Sequence, residues 1–216
     1  MRKVLVTCQV TVSMLRLTSA GLLLRGLIKA QSADPGFDTH HLFLVRASFG
    51  DDRAKAVSRS RLLDDALKAV PEIDSVASGM CPMLNTWTPP IIVKDAGALQ
   101  GELHDRTLAS YASDTYFATL GITLISGRGF TPLEAAIGAH VSIISQSTAR
   151  HFWPGEDPLG KHFQLDEKFD GKLSDYEVIG VTGDVRFSNL TRIDPMHIYL
   201  ATNAADLNPT LNQCQS

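Results

Sequence analysis

The longest apolar stretch of the chain lies at its N-terminus. Residues 4–28 read VLVTCQVTVSMLRLTSAGLLLRGLI, and a helix of that length, at about 1.5 Å per residue, covers the roughly 30 Å hydrocarbon core of a bilayer. Arg2 and Lys3 precede the stretch, so the positive-inside tendency predicts that they stay in the cytoplasm and that the following chain faces outward. Arg25 and Lys29 lie at the far end, where long basic side chains reach the headgroups.

Polar residues inside this stretch leave other interpretations open. Arg16 falls near the middle, where an arginine costs about 2.5–3.5 kcal/mol on insertion scales. Further polarity comes from Thr7, Gln9, Thr11, Ser13, Thr18 and Ser19. A transmembrane helix within residues 1–31 is favoured if partner helices cover Arg16. The alternatives are a cleaved signal peptide, although no clean A-x-A site follows Lys29, and a soluble or interfacial amphipathic helix.

Beyond residue 31 the pattern changes to short elements. The turn-rich residues 33–38, ADPGFD, predict a linker over 32–41. Residues 42–200 form the predicted folded domain, and the Asn- and Gln-rich residues 201–216 form an irregular tail.

Period-two and helical patterns divide the predicted domain into strands and helices. The first three elements are a strand, a helix and a second strand, and this order predicts a right-handed crossover unit. Asp51 and Asp52 begin the helix, and Pro71 ends it. The pattern predicts an α+β fold with several antiparallel strands. The predicted strands cover residues 42–47, 73–77, 91–93, 122–125, 141–145, 163–165, 176–181 and 196–200, and the predicted helices 51–70, 115–120 and 146–153.

Composition narrows the class of protein. The 216 residues fit one domain with an appendage. Twenty basic and 23 acidic residues give a net charge of −3, which argues against a nucleic-acid partner. Cys8, Cys81 and Cys214 have neither the number nor the spacing of a disulfide framework or a metal site.

One segment comes close to a phosphate-binding loop. Residues 155–162 read GEDPLGKH, whereas the nucleotide-binding pattern ends in Lys followed by Ser or Thr. His162 replaces the hydroxyl residue that would bind magnesium, Glu156 and Asp157 would repel a polyphosphate, and a helix is predicted before the loop where the motif needs a strand. We therefore predict a turn and no cofactor.

The remaining motifs of catalysis are not found in the sequence. It has no H-E-x-x-H, G-x-S-x-G or S-x-x-K pattern. The seven histidines are interpreted as surface or turn residues, and the carboxylate pairs are adjacent in sequence, so that their side chains diverge. Trp87, Trp153 and most phenylalanines are expected in the core. The sequence therefore predicts no catalytic, cofactor-binding or metal-binding residue and no enzyme activity.

Several segments resemble the MacB-like periplasmic core domain of ABC transporter permeases of the FtsX/MacB type. The resemblance covers residues 4–200 in the family's order and is closest to the subgroup called acidobacterial duplicated orphan permeases. The segments that carry it are the N-terminal stretch, VPEIDSVASG, TYFATLGITLISGRGFT, VSIISQSTARHFWPGEDPLGKHFQL and YEVIGVTGDVRFSNL.

This resemblance implies a porter-like α/β sandwich part and a mostly β part, facing the periplasm from the bacterial inner membrane. It implies a permease subunit that couples ATP-driven movement of membrane helices to periplasmic partners. A cytoplasmic ABC ATPase, a second copy of the chain and membrane lipid are the implied partners. An exported or membrane-tethered binding module without transport activity is the alternative.

Three departures from the family stand out. Arg16 replaces an apolar residue, Gly129 replaces an acidic one, and the sequence after Leu200 leaves the family's pattern. The last departure leads us to expect an N-terminal fragment that is not competent for transport alone.

Overall fold

The computed structural model describes residues 2–31, 36, 42–45, 53–80, 87–94, 102–185 and 196–201. The chain divides into two compact units, Met1–Asp34 and Pro35–Ser216. Most of the predicted linker and tail lies outside the described residues, as do Asp51, Asp52, Cys81 and Cys214.

The first unit contains helix α1, Arg2–Gln31. Its thirty residues include no proline and no acidic residue, and its many leucines are good helix formers. Within it, Val6–Ile28 is long and apolar enough to cross a membrane by length and composition, and none of this span is buried. Apolar side chains are exposed all around α1, which is the pattern of a helix that needs an apolar medium or partner helices around it.

The second unit mixes helices with strands, so the predicted α+β class is confirmed. The helices are α2 Arg53–Lys68, α3 Tyr116–Leu120, α4 Pro132–Ile137 and α5 Gln146–Phe152. The strands are β1 Pro90–Val93, β2 Leu103–Arg106, β3 Leu108–Ala112, β4 Leu124–Gly127, β5 Val141–Ser145, β6 His162–Leu165, β7 Ser174–Thr182 and β8 His197–Ala201.

All eight strands belong to one sheet with the order β2-β1-β6-β7-β5-β8-β3, and β4 pairs with β7. The β3–β8 and β5–β7 pairs are parallel, and the others are antiparallel. The nine residues of β7 are long enough to pair with β6 near their start and with β4 near their end.

The two ends of this strand order meet. Strands β2 and β3 stand at opposite ends, yet only the buried Thr107 separates them along the chain. The Ala109 amide donates to the Trp87 carbonyl at 3.0 Å, which continues the antiparallel β1–β2 register beyond the end of β2. Residues 103–112 therefore have β1 along one side and β8 along the other, and the sheet closes on itself.

Alternate residues of the strands supply two hydrophobic clusters. Ile144 and Leu200 join the first cluster, together with Phe152 and Trp153 at the end of α5. Ile143 and Tyr199 join the second cluster, with Tyr116, Phe117 and Leu120 from α3. Because adjacent residues of a strand point to opposite faces, the two clusters lie on the two faces of the sheet.

Two predicted strands are wrong. Residues 42–45 and 73–77 have no regular secondary structure, so the predicted crossover unit does not form in the described part of the chain. The apolar run 42–45 leaves Phe43 95% exposed and only Leu42 packed on the second cluster, and no described strand pairs with it. After residue 77 the chain runs beside β3, where Gly79 bridges Ala112.

Candidate functional site

Most hydroxyl groups of α1 are satisfied within the helix. Four of them donate to a backbone carbonyl four residues earlier, at 2.8–3.0 Å: those of Thr7, Thr11, Thr18 and Ser19. A hydroxyl that bonds its own helix costs less in an apolar medium than an unpaired one. The polarity of these four hydroxyl groups is therefore largely compensated, and Arg16 is the charged group that remains near the middle of the span.

A buried hydrogen-bond network joins β5, α5, β8 and β3. The Ser145 hydroxyl accepts from the Thr148 amide at 3.3 Å and so caps α5. The Thr148 hydroxyl donates to the His197 carbonyl at 3.0 Å, and the His197 ring Nε2 lies 2.9 Å from the Ser110 hydroxyl. This network fixes the start of α5 against the sheet.

His197 differs from the other histidines. Burial lowers its pKa from 6.5 to about 3, so the ring is neutral at pH 7. It stacks on Tyr199 with ring centroids 4.4 Å apart. The interpretation of all histidines as surface or turn residues is therefore wrong for His197, which lies inside a strand.

A second polar contact holds the same helix from the segment that follows β7. The carboxylate of Asp184 accepts from the Ser147 amide at 2.8 Å and from the Ser147 hydroxyl at 2.7 Å. A carboxylate at the first turn of a helix satisfies free amides and complements the helix dipole. The pair therefore caps α5, and no contact in the described residues brings a histidine to it.

Two exposed histidines each bind one carboxylate, in different parts of the surface. His151 Nε2 lies 2.9 Å from Asp105 Oδ2, and His162 Nδ1 lies 2.8 Å from Asp175 Oδ2. Metal binding needs more ligands than such a pair provides. Across the described ranges, no three His, Cys, Asp or Glu side chains are placed to hold a metal ion.

Residues 155–162, whose sequence is similar to a phosphate-binding loop, form a turn between α5 and β6. Gly155 and Gly160 adopt positive φ angles of 80° and 75°. The Lys161 ammonium is 2.6 Å from Glu156, and the Gly160 amide donates to the Val178 carbonyl at 2.8 Å. The lysine and an amide that a phosphate would need are thus engaged within the turn and with β7.

A tyrosine pair and a carboxylate connect distant strands. Glu167 accepts from the Tyr111 hydroxyl at 2.8 Å and from the Tyr176 hydroxyl at 2.6 Å. Trp87 stacks on Tyr111 at 5.1 Å between ring centroids. Because Tyr111 lies in β3 and Tyr176 in β7, Glu167 ties two non-adjacent strands of the closed sheet.

The turn between β4 and α4 is held by an ion pair. Arg128 donates to both carboxylate oxygens of Glu134, at 2.7 and 2.8 Å, and Glu134 also accepts from the Thr131 amide at 2.8 Å. The hydrogen bond from Arg128 is the largest cause that lowers the pKa of Glu134 to about 2. In return, the Glu134 backbone amide donates to the Thr131 hydroxyl at 3.2 Å, which completes a capping box.

Apolar side chains are exposed around this turn. Leu133 and Ile137 on α4 are 69% and 65% exposed, and Ile125 on β4 is 50% exposed. Leu133 and Ile137 are four residues apart and therefore lie on one side of α4.

The comparisons identify the family. The sequence model of the MacB-like periplasmic core domain matches residues 13–212, so the chain belongs to the MacB-like periplasmic core domain family. This match extends beyond Leu200, where the resemblance had been expected to end. No curated protein sequence matches the chain.

Three solved structures are similar to the chain. The periplasmic region of MacB from Actinobacillus actinomycetemcomitans has 19% identity over 68% of this chain and 56% of that one, with a TM-score of 0.48. The extracellular domain of the noncanonical ABC-type transporter YknZ from Gram-positive bacteria has 17% identity over 69% and 64%, with a TM-score of 0.45. A domain of a permease protein from Porphyromonas gingivalis has 21% identity over 63% and 54%, with a TM-score of 0.42. The matches span between 54% and 64% of the solved chains.

The sequence held signals for two features that were not predicted. Thr131 and Glu134 have the spacing of a capping box, with Pro132 at the first helical position, and they mark α4. The strand at 196–200 was predicted, but the burial of His197 was not, although the apolar run IYLA that follows it indicates a buried strand. Its partner Ser110 lies 87 positions away in sequence, so the polar contact itself had no local signal.

Proposed function

We propose that this chain is the membrane-anchored periplasmic part of an ABC-type permease subunit in a bacterial inner membrane. In this proposal α1 spans the bilayer with its N-terminus in the cytoplasm, and the closed-sheet domain lies in the periplasm. The observation that carries the proposal is the extent of the family match, which begins at residue 13 inside α1 and continues through β8. The helix and the sheet domain thus fall within one family unit.

The proposed role is mechanical. A cytoplasmic ABC ATPase would supply the energy, and movement of membrane helices would be passed to the periplasmic domain and its partners. Two states of a packed domain, not bond chemistry, are what such coupling requires. Two observations support a role without catalysis. In the turn 155–162, Lys161 and the Gly160 amide already have partners within the protein. No described contact brings a histidine to the Ser147–Asp184 pair. A second copy of the chain and membrane lipid are further proposed contacts.

The alternative is an exported or membrane-tethered binding module without transport activity. It is favoured by the position of the span Val6–Ile28 close to the N-terminus, which a signal sequence would share. A mature protein beginning near Ser32 would support this alternative. Sequencing the N-terminus of the protein isolated from cells separates the two functions.

Alkaline-carbonate extraction of bacterial membranes tests the anchor. We expect the full chain to stay in the pellet, with part of it lost because Arg16 lowers the efficiency of insertion. Arg16→Leu should raise the pelleted fraction, whereas Arg25→Leu should change it little because Arg25 lies near the end of the span and reaches the headgroups. Release of all variants into the supernatant would refute the spanning helix.

A protease added to spheroplasts tests the orientation. Digestion of the domain from the outside, with a cytoplasmic marker protein intact, is expected for a periplasmic domain. Protection of the domain until the membrane is lysed would contradict the proposed orientation.

A further inference from the structure

Arg16 is an isolated charge in the middle of α1. It lies ten residues from Val6 and twelve from Ile28, the ends of the apolar span, which places it about 15 and 18 Å from those ends. Snorkelling to the interface is a property of basic residues near helix ends. No ion pair or hydrogen bond joins the Arg16 side chain to any residue in the described part of the chain.

The surroundings of Arg16 form a surface suited to another helix. A shallow groove along one side of α1 is lined by Val12, Leu15, Arg16, Ser19, Ala20 and Leu23. Small side chains such as Ser19 and Ala20 allow a neighbouring helix to approach closely. The Ser19 hydroxyl already donates to the Leu15 carbonyl at 2.8 Å, so the guanidinium is the polar group of this groove that still needs a partner.

A second α1 does not provide that partner. Residues 2–31 contain five basic and no acidic side chains, so two copies crossing at this groove would bring two guanidinium groups together. Like charges in a medium of low dielectric repel strongly. The groove therefore disfavours pairing of two α1 helices through Arg16 and favours a helix that carries a negative charge.

We propose that the Arg16 groove binds a different transmembrane helix that carries an aspartate or glutamate at the depth of Arg16. A carboxylate accepts two parallel hydrogen bonds from a guanidinium, and the charge of both groups is neutralised inside the bilayer. This inference rests on the proposed function, because it requires α1 to span the membrane. It explains how a chain with a central arginine is held in a bilayer.

Co-purification from bacterial inner membranes tests the proposal. The full chain is expressed with a tagged poly-leucine transmembrane probe that carries one Glu at mid-span, and matched probes carry Gln or Leu there. We expect roughly tenfold more full chain with the Glu probe than with the Leu probe, equivalent to about 1.4 kcal/mol. The Gln probe should give an intermediate value, because it offers hydrogen bonds without charge.

Variants of the chain assign the effect to Arg16. Arg16→Leu should abolish the preference for the Glu probe, and Arg16→Lys should retain part of it, since an ammonium lacks the paired geometry of guanidinium. Arg25→Leu, which removes a basic residue near the end of the span, should leave the preference unchanged. Equal capture by the Glu and Leu probes, as expected if Arg16 contacts lipid phosphates, would overturn the proposal. So would capture of the Arg16→Leu chain by the Glu probe as strong as that of the unaltered chain, or self-association of two tagged full chains that Arg16→Leu weakens.

Carbonate extraction of the same membranes separates the two proposals. A chain that resists extraction but shows no preference for the Glu probe refutes the charged partner and leaves the membrane anchor standing. A chain that is fully extracted refutes both, since α1 then does not span the bilayer.

Discussion

At the scale of single residues, His197 illustrates how burial sets the charge of a side chain. The ring, on β8, is buried beside Ser110 of β3 and Tyr199. Its pKa falls from 6.5 to about 3 because the protonated form is poorly solvated there. The unfolded chain therefore binds a proton more readily than the folded one between these two values. We therefore expect the contribution of His197 to the free energy of unfolding to be greatest above pH 6.5 and to decrease as the pH falls toward 3.

Replacing His197 with Gln tests this dependence. Between pH 7 and pH 5 the folded protein should lose about 2 kcal/mol of unfolding free energy through His197. The variant is less stable at pH 7, but this part of its pH dependence should vanish. Urea unfolding of the full chain in detergent, followed by tryptophan fluorescence, measures both values. The matched control is His162→Gln, an exposed histidine, and an unchanged pH dependence in His197→Gln would contradict the assignment.

The sequence predicted the strand of His197 but not its environment. The short apolar run after His197 indicated a strand there, and β8 confirms it. The contact with Ser110 depends on the parallel pairing of β3 and β8, and β3 itself was not predicted. A polar contact between residues so far apart in sequence follows only from the order of the strands.

At the scale of elements, the antiparallel pairing of β4 with β7 depends on two glycines. Gly127 and Gly180 are register partners in this pair. Gly127 has a φ of 74°, and a Cβ atom there would overlap the Ile179 carbonyl. Both the backbone conformation and the close approach therefore require glycine.

Gly127→Ala should destabilise the protein by more than about 4 kcal/mol, the range of severe single substitutions. Gly155→Ala provides the control, because Gly155 also has a positive φ, 80°, but open space around its Cβ position. It should cost only about 1–2 kcal/mol for the left-handed conformation. Thermal unfolding of both variants checks the difference. Equal losses would show that the contact with Ile179 does not matter.

Element prediction succeeded where apolar patterns were uninterrupted. Strands β5, β7 and β8 and helices α2, α3 and α5 lie close to their predicted ranges. Strands β2 and β3 were missed because LHDR and LASYA mix charged, small and polar residues, and their pairing comes from β1 and β8. Conversely, the apolar run 42–45 predicted a strand, but no described strand is its partner.

At the scale of the whole molecule, the two units differ in what surrounds them. The span of α1 is not buried by protein, whereas the unit Pro35–Ser216 contains both hydrophobic clusters. The second unit therefore has its own core and should fold without the first. Family membership was predicted from the resemblance of several sequence segments, and the family match over residues 13–212 confirms it.

Residues 35–216 expressed alone should be recovered in the soluble fraction. We expect Trp153, which is 1% exposed, to keep its blue-shifted emission and to unfold in one cooperative transition. The full chain, handled in parallel, should remain with the membranes. Aggregation of the isolated unit, or its persistence in the membrane pellet, would contradict the independence of the two units.

The closure of the sheet at Thr107 has a mechanical consequence. The outermost strand of an open sheet can separate from its single neighbour, one hydrogen bond after another. Residues 103–112 are instead hydrogen-bonded to β1 on one side and to β8 on the other. A force on either neighbour is therefore distributed over the whole closed sheet. A domain of this kind transmits a pulling force with little stretching, which is the property that the proposed coupling role would require.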